Sequence, residues 1–394
     1  MQHVNEIRAI MRDFARTTGL SDNSVKPRRY LWTDAFAVCN FLELYRESGQ
    51  SSYLQSARAL VDQVHLILGQ YSDTDPRSGW ISGLDEQSAR EHPTAGGLRI
   101  GKPLAERSPQ QSPDDRLEWD RDGQYFHYLT RWMQALTRMA VYTGEDAYQR
   151  WALELAQTAH QSFCYTLTSD GPMRMYWKMS IDLSRPLVDS MGQHDPLDAV
   201  VSYLEINANN SAHGILASNE QLEREIAEAL SMCAGARWAT DDPLGIGSLL
   251  IDTFRLAQLQ TNFNISPPIA LARLLADCEP GLQALQRSGQ LAHPAQYRLA
   301  FRELGLATGL EAINRLNALL AEHPRQQALD REAKIRLERL EHFGRLSDTI
   351  REFWLETANQ QVTPWRDHQD INSVMLATSL APDAFLFIRQ RMGL

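Results

Sequence analysis

At 394 residues, with 43% hydrophobic and 22% charged side chains, the chain has an ordinary globular composition and can bury a core without disulfide or metal staples. Its net charge of -10 excludes the basic footprint of a nucleic-acid binder. No window approaches the ~18 apolar residues that a membrane span needs.

The first twenty residues carry charges throughout and have no apolar h-region, so no signal peptide is expected. Cys39, Cys164, Cys233 and Cys278 lie far apart, each within an apolar helical pattern and none in a CxxC motif. They read as buried free thiols, which fits a cytoplasmic protein.

In chain order, residues 5–18 form the first amphipathic helical pattern. LWTDAFAVCNFLELYRESGQ follows, apolar on nearly every side and therefore a buried helix. Gly49 ends it, and SSYLQSARALVDQVHLILGQY is its amphipathic partner. Residues 122–142 form a second apolar helix, paired with AYQRWALELAQTAHQSFCY. The third pair is HDPLDAVVSYLEI with NEQLEREIAEALSMC, and the fourth is LLIDTFRLAQLQ with PPIALARLLADCEPGLQAL. A weaker fifth pair joins PAQYRLAFRELGLATG to GLEAINRLNALLAEH. A long charged helix over 330–359 intervenes, the sixth apolar helix starts at DHQDINSVMLATSLAP, and DAFLFIRQRMG closes the chain.

About six hairpins follow the repeat logic of helical arrays. An acid stands near the start of five of the apolar helices: Asp34, Asp122, Asp195, Asp252 and Asp370. Connections of uneven length argue against an open solenoid, and the long loop over 71–122 has the size of a functional one. The expected fold is all-α, a single (α/α)6 toroid over 1–394, with long loops and acids at the mouth formed by the inner-helix N-termini. WTDAFAVCNFL and the acid-aromatic stretch EWDRDGQYF resemble the six-hairpin glycosidase superfamily with its (α/α)6 barrel. LWTDAFAV is also similar to the first inner-helix pattern of the N-acylglucosamine 2-epimerase group.

The strongest chemical signal is Glu118, Asp120 and Asp122 together with Asp34. Glycoside hydrolysis needs a proton donor and a second carboxylate across the sugar, and these four acids are the catalytic candidates. The competing role is helix capping or pairing with Arg116 or Arg121. Trp119, Tyr125, Phe126 and His127 supply a stacking surface for the C–H face of a pyranose.

A second candidate runs over 174–200 and holds Trp177, Lys178, His194 and Asp195. Here His194 with Asp195 would be an acid/base pair, unless Asp195 only caps its helix ahead of Pro196. A third, WRDHQDIN, offers Arg366, His368 and Asp370, with His368 as a proton-transfer group. In the loop over 96–116, Arg99 and Lys102 can hold an anionic group on a sugar, although it matches neither GxxxxGK[ST] nor GxGxxG and reads more simply as surface loop.

HxH, HExxH and GxSxG are absent, so neither a metal, a cofactor nor a serine nucleophile is expected. The functional expectation is a carbohydrate-active enzyme on a small saccharide, foremost a glycoside hydrolase with paired carboxylates. The alternatives are a sugar 2-epimerase using His194 and His368, and a saccharide-binding protein without catalysis. The apolar stripe Ile335, Leu337, Leu340, Phe343, Leu346, Ile350 and Phe353 allows a homodimer, though such a stripe more often covers its own core.

Overall fold

A computed structural model describes residues 3–168, 171–212, 219–266, 268–322 and 331–389. It divides into two compact units, Ala15–Ala234 with Arg389, and residues 3–14 with Gly235–Ile388. The first helix, α1 (Val4–Thr17), runs across a boundary between them.

In the unit of residues 15–234, α2 (Leu31–Ser48) is buried at every position from Leu31 to Leu44. Gly49 takes the left-handed conformation that closes the helix (φ 67°), a position that favours glycine. α3 (Ser51–Leu68) follows and buries one stripe, Ala57, Leu60, Val61, Val64 and Leu68. The long connection holds two short helices, α4 (Glu86–Glu91) and α5 (Asp115–Asp120). Asp85 and Asp114 cap them by accepting backbone N–H groups. Strand β1 (Gln124–Tyr125) then leads into the apolar α6 (Phe126–Thr143) and the amphipathic α7 (Asp146–Phe163).

Two small antiparallel sheets come next. β2 (Cys164–Thr166) pairs with β3 (Met173–Met175), and β4 (Lys178–Met179) lies between β1 and β5 (Pro186–Val188). The alternating segment MRMYWKMSIDL thus supplies two short strands. α8 (Asp195–Ala212) and α9 (Asn219–Cys233) complete the unit.

Arg131 and Arg138 of α6, both buried, pair with Asp198 and Glu205 of α8. Each pair repeats after seven residues, so two turns of one helix face two turns of the other. Removing one member of such a pair leaves a buried charge, which makes the register between the helices expensive to change.

The unit of residues 235–388 begins with α10 (Pro243–Phe263) and α11 (Leu271–Ser288). Asp252 does not head this apolar helix, as its sequence position implied. Asp242 caps it, with Pro243 at the first helical position, and Asp252 sits mid-helix beside Arg255.

The expected fifth hairpin is one continuous helix, α12 (Ala300–Glu322). Gly309 stands at the expected junction of the two helices, but it and Gly305 are packing glycines. A Cβ on Gly309 would come 2.5 Å from the Gly247 carbonyl oxygen of α10, so both helices depend on glycine to approach each other. Gly309→Ala should lower the thermal midpoint by several degrees, since overpacking costs about 1–3 kcal/mol. An unchanged melting curve would show that the two backbones are not in contact.

The expected long helix over 330–359 is also broken. α13 (Arg331–Leu340) tightens into 3-10 turns over Glu341–Arg345 before α14 (Leu346–Leu355). The break falls where Gly344 approaches α12; a Cβ there would lie 3.0 Å from Asn314 Oδ1. Leu337, Leu340, Phe343 and Ile350 of the apolar stripe are buried within the unit, while Ile335 is exposed. The short α15 (Thr363–Arg366) precedes the last apolar helix, α16 (Gln369–Leu380). The closing helix shrinks to α17 (Asp383–Leu386), with extended chain after it. The parts of these calls at 323, at 330 and beyond 389 lie outside the described residues.

Candidate active site

The acid-aromatic stretch around α5 and β1 is where sequence and geometry meet. Gly123 makes the approach possible: its φ is 146°, and a Cβ would lie 2.7 Å from the Met179 carbonyl oxygen. The loop over 96–116 is not surface loop at its start. Leu98, Arg99 and Ile100 are buried, with Ile100 bridging Leu31 N–H and the Gly123 carbonyl. Gln124, fully buried, locks this segment by accepting from Leu98 N–H (2.9 Å) and donating to the Gly96 and Ile181 carbonyls (2.9 and 2.7 Å). The sequence reading passed over Gln124, whose role depends wholly on distant backbone.

Four acids were the sequence's catalytic candidates, and three of them are held by cations. Asp122 accepts from Arg99 (2.9 Å) and Gly101 N–H (3.0 Å). Arg99 also donates to the carbonyls of Gln70 (2.9 Å) and Ile67 (3.1 Å). It is therefore engaged with the fold rather than offered to a ligand. Asp34 accepts from Tyr30 N–H (2.9 Å) and Arg29 (3.3 Å) at the start of α2, a capping arrangement. Glu118 accepts from Arg107 at 2.6 Å. Its other oxygen lies 3.5 Å from Lys178 Nζ. Lys178, expected as a substrate ligand, is fully buried and donates to the Glu118 and Arg121 carbonyls (2.5 and 2.8 Å). Burial pushes its ammonium down to about 8, with Glu118 opposing. Asp120 alone of the four stays exposed, its carboxylate without a hydrogen bond or salt bridge among the described residues.

Above this ionic layer stands an aromatic one. Tyr125 packs 5.3 Å from His127 in stacked geometry and 4.9 Å from Trp177. His127 and Trp177 are themselves nearly parallel, 6.2 Å apart and 14° between planes. Trp119, more than half exposed, meets Trp177 edge-on at 4.7 Å. Trp32 and Tyr128 close the cluster against His127 (6.0 and 4.9 Å), and the Tyr30 and Tyr128 hydroxyls share a hydrogen bond of 2.7 Å. Lys102 Nζ lies 5.4 Å from the Tyr125 ring centre, within cation–π range. Of the expected stacking surface, Trp119, Tyr125 and His127 come together with Trp177, while Phe126 is fully buried and meets Phe163 edge-on.

The titratable pair in this cluster is His127 with Asp195. Their Nδ1 and Oδ1 atoms are 3.7 Å apart. Among the described residues, neither His127 Nδ1 nor Asp195 Oδ2 has a hydrogen-bond partner. Burial, then Arg131 and Lys102, push the imidazole down to about 3. Burial pushes the Asp195 carboxyl up to about 7, against the pull of Arg131. Near neutrality the site therefore holds a neutral imidazole beside a carboxyl close to its midpoint. The His127 side chain is 24% exposed and that of Asp195 5%.

Gly192 lies over Asp195, where a Cβ would come 2.4 Å from Oδ2. His194, the sequence's acid/base choice, is half-buried next door, and its carbonyl accepts from Asp198 N–H (2.9 Å). The sequence reading set Asp195 beside His194; in the structure it faces His127. The available clue was Arg131, one turn after His127.

The third sequence cluster belongs to the other unit. His368 is exposed at the start of α16, with its ring edge toward Phe301 at 5.8 Å. Arg366 is exposed and donates to the Gln361 side chain (2.7 Å), and Asp370 is half-buried in the first turn of α16. No group of His, Cys, Asp and Glu among the described residues has metal-binding geometry. No described helix is long and apolar enough to cross a membrane.

The fold class is the all-α (α/α)6 toroid. The chain is similar in structure to the alpha-1,6-mannanase GH76A from Salegentibacter sp., at 12% identity and a TM-score of 0.52, over 96% of this chain and 99% of that one. An inactive variant of that enzyme in complex with alpha-1,6-mannotriose matches at the same identity and TM-score, over 98% and 99%. The cellobiose 2-epimerase from Bacillus thermoamylovorans matches at 11% identity and a TM-score of 0.50, over 96% and 99%. At these identities the likeness is one of fold. No protein-family model matches the chain, and no curated protein matches it.

Proposed function

We propose that this chain is a carbohydrate-active enzyme and, within that class, a glycoside hydrolase in which Asp195 is the proton donor. The observation that carries the reading is the His127–Asp195 pair, with its unpartnered polar atoms, inside a cluster of Trp, Tyr and His rings. A carboxyl raised by an apolar site can stay protonated near neutrality and donate, while an exposed carboxylate stays ionised; glycosidases divide their two roles this way. Asp120, exposed at the end of α5, is the second carboxyl group. Asp195 would protonate the glycosidic oxygen as the C1–O bond breaks, and Asp120 would attack C1 or activate a water. Asp122, Glu118 and Asp34 position the loop through Arg99, Arg107 and Arg29. Trp119 and Trp177 form the sugar platform, with the buried Tyr125 ring packed against Trp177. The solved neighbours that act on mannans and cellobiose support a saccharide substrate. The free cysteines, three of them buried, fit a reducing compartment.

A specific observation favours a second reading. A neutral His127 beside Asp195 can also remove a proton next to a sugar carbonyl, as a 2-epimerase requires. One experiment separates the two. A panel of mannooligosaccharides and cellooligosaccharides is incubated with the protein in D2O. Hydrolysis yields new reducing ends without deuterium at C2, and epimerisation yields C2-deuterated epimer with no new reducing ends. Turnover of neither kind, with a sugar raising the thermal midpoint, would leave a binding protein.

Trp177→Ala tests the platform. Aromatic contact is worth roughly 1 kcal/mol beyond area, so KM should rise about fivefold to tenfold with kcat much less affected. A loss confined to kcat would remove Trp177 from sugar binding.

A further inference from the structure

The charges at the aromatic cluster do not cancel. Asp34, Asp122, Glu118 and Asp198 are each matched by an arginine: Arg29, Arg99, Arg107 and Arg131. Lys178 is engaged by Glu118 and by two backbone carbonyls. Lys102 has neither a hydrogen bond nor a salt bridge among the described residues. We propose, on the carbohydrate reading above, that Lys102 binds an anionic group of the substrate, so that this site takes an acidic saccharide bearing a carboxylate or a phosphate.

The side chain stands on a fixed segment. Gly101 N–H donates to the Asp122 carboxylate (3.0 Å), and the Leu104 carbonyl accepts from Asp122 N–H (2.7 Å). Asp122 thus ties the backbone on both sides of Lys102. Gly101 has φ 94°, and a Cβ there would lie 2.3 Å from the Arg29 carbonyl oxygen, so the chain enters Lys102 by a path that needs glycine. From this segment Nζ reaches over the Tyr125 ring. That ring packs against Trp177, and Trp177 meets the exposed Trp119. The ammonium therefore adjoins the sugar platform.

Lys102 is half-buried, which gives its charge more weight than a fully hydrated ammonium has. Burial pulls the ammonium below the ordinary lysine range, with Asp120 and Asp122 opposing. The nearby acids therefore compensate the charge only in part. Asp122 is already held by Arg99, and Asp120 forms no salt bridge with Lys102. A neutral sugar hydroxyl accepts a hydrogen bond from Lys102 but leaves the charge unmatched. An anionic oxygen does both. An ammonium is a point charge with three donors and no planar fork, so a carboxylate and a phosphate both suit it.

Two ligand pairs test this: cellotetraose against its C6-oxidised form, and mannotriose against its 6-phosphate. Calorimetry on the full chain carrying Asp195→Asn reads binding without turnover. At least one acidic ligand should bind about tenfold or more tighter than its neutral counterpart, the effect of one charge-assisted hydrogen bond. The pair that shows the difference identifies carboxylate or phosphate. Lys102→Met should bring the ratio close to one, and Lys102→Arg should keep most of it, both with the circular dichroism spectrum of the parent. Lys334→Met, exposed on α13 in the other unit, should leave the ratio unchanged and so excludes general charge effects. The proposal is overturned if neither acidic ligand binds tighter, or if the preference survives in Lys102→Met. Turnover by the wild type is read separately. An acidic preference without turnover keeps the role of Lys102 and removes the hydrolase, whereas hydrolysis of neutral saccharides without that preference does the reverse.

Discussion

Asp195→Asn will lower kcat by about 10²–10⁴-fold, the range that general acid catalysis supplies, on whichever saccharide the panel identifies. Circular dichroism should be unchanged, since the amide is nearly isosteric. The pH profile carries a separate test. Asp195 must be protonated to donate, so wild-type turnover should fall as pH rises through about 7. The variant's residual activity should lack that limb.

Stability should move the other way. The folded carboxyl titrates near 7, above its ordinary value of 3.8. Its neutral form is therefore favoured by folding at low pH, and above about 7 the fold carries the whole cost of a buried carboxylate. That cost is at most roughly 4 kcal/mol. Asp195→Asn should thus raise the thermal midpoint at pH 8 and do little at pH 4, the trade of stability for function seen at catalytic sites. Wild-type turnover in Asp195→Asn would remove the assignment. His127→Gln then decides between readings: it should abolish epimerisation, whereas hydrolysis should survive in reduced form.

The second large effect is on stability. Arg99→Ala should cost about 3–5 kcal/mol, because it strands the buried Asp122 carboxylate and releases two backbone carbonyls. Lysine at this position should not rescue it, since one ammonium cannot reach three acceptors from the places a guanidinium fork does. Arg99→Ala combined with Asp122→Asn should recover a substantial part of the loss, because the stranded charge is gone. Denaturant unfolding of the four proteins measures this directly. If the double variant is no more stable than Arg99→Ala alone, the cost lies in the carbonyl contacts rather than in the ion pair.

Arg99 also shows why the site was only half legible. Its sequence neighbourhood, glycines with Arg99 and Lys102, offers cations that look available. Whether a cation is available depends on which acid or carbonyl the chain brings within 3 Å. Here those partners stand at Gln70, Ile67 and Asp122, too far apart in sequence for any local pattern to reveal. The same holds for Glu118 with Arg107 and for the paired rungs of Arg131–Asp198 and Arg138–Glu205. The misread junction at Gly309 has a similar cause. Gly309 falls where a turn was expected, and only contact with α10 makes it part of a helix interface.

By itself the sequence determined the alternation of buried and amphipathic helices, the aromatic run from Trp119 to Tyr128, and the acids beside it. Those follow from periodicity and composition, which act over a few turns of chain. Tertiary structure alone decided which carboxylates are held by arginines and which are not, and that Asp195 faces His127 among rings. Burial and partnership set a carboxyl's protonation, and both are fixed by residues dozens of positions away.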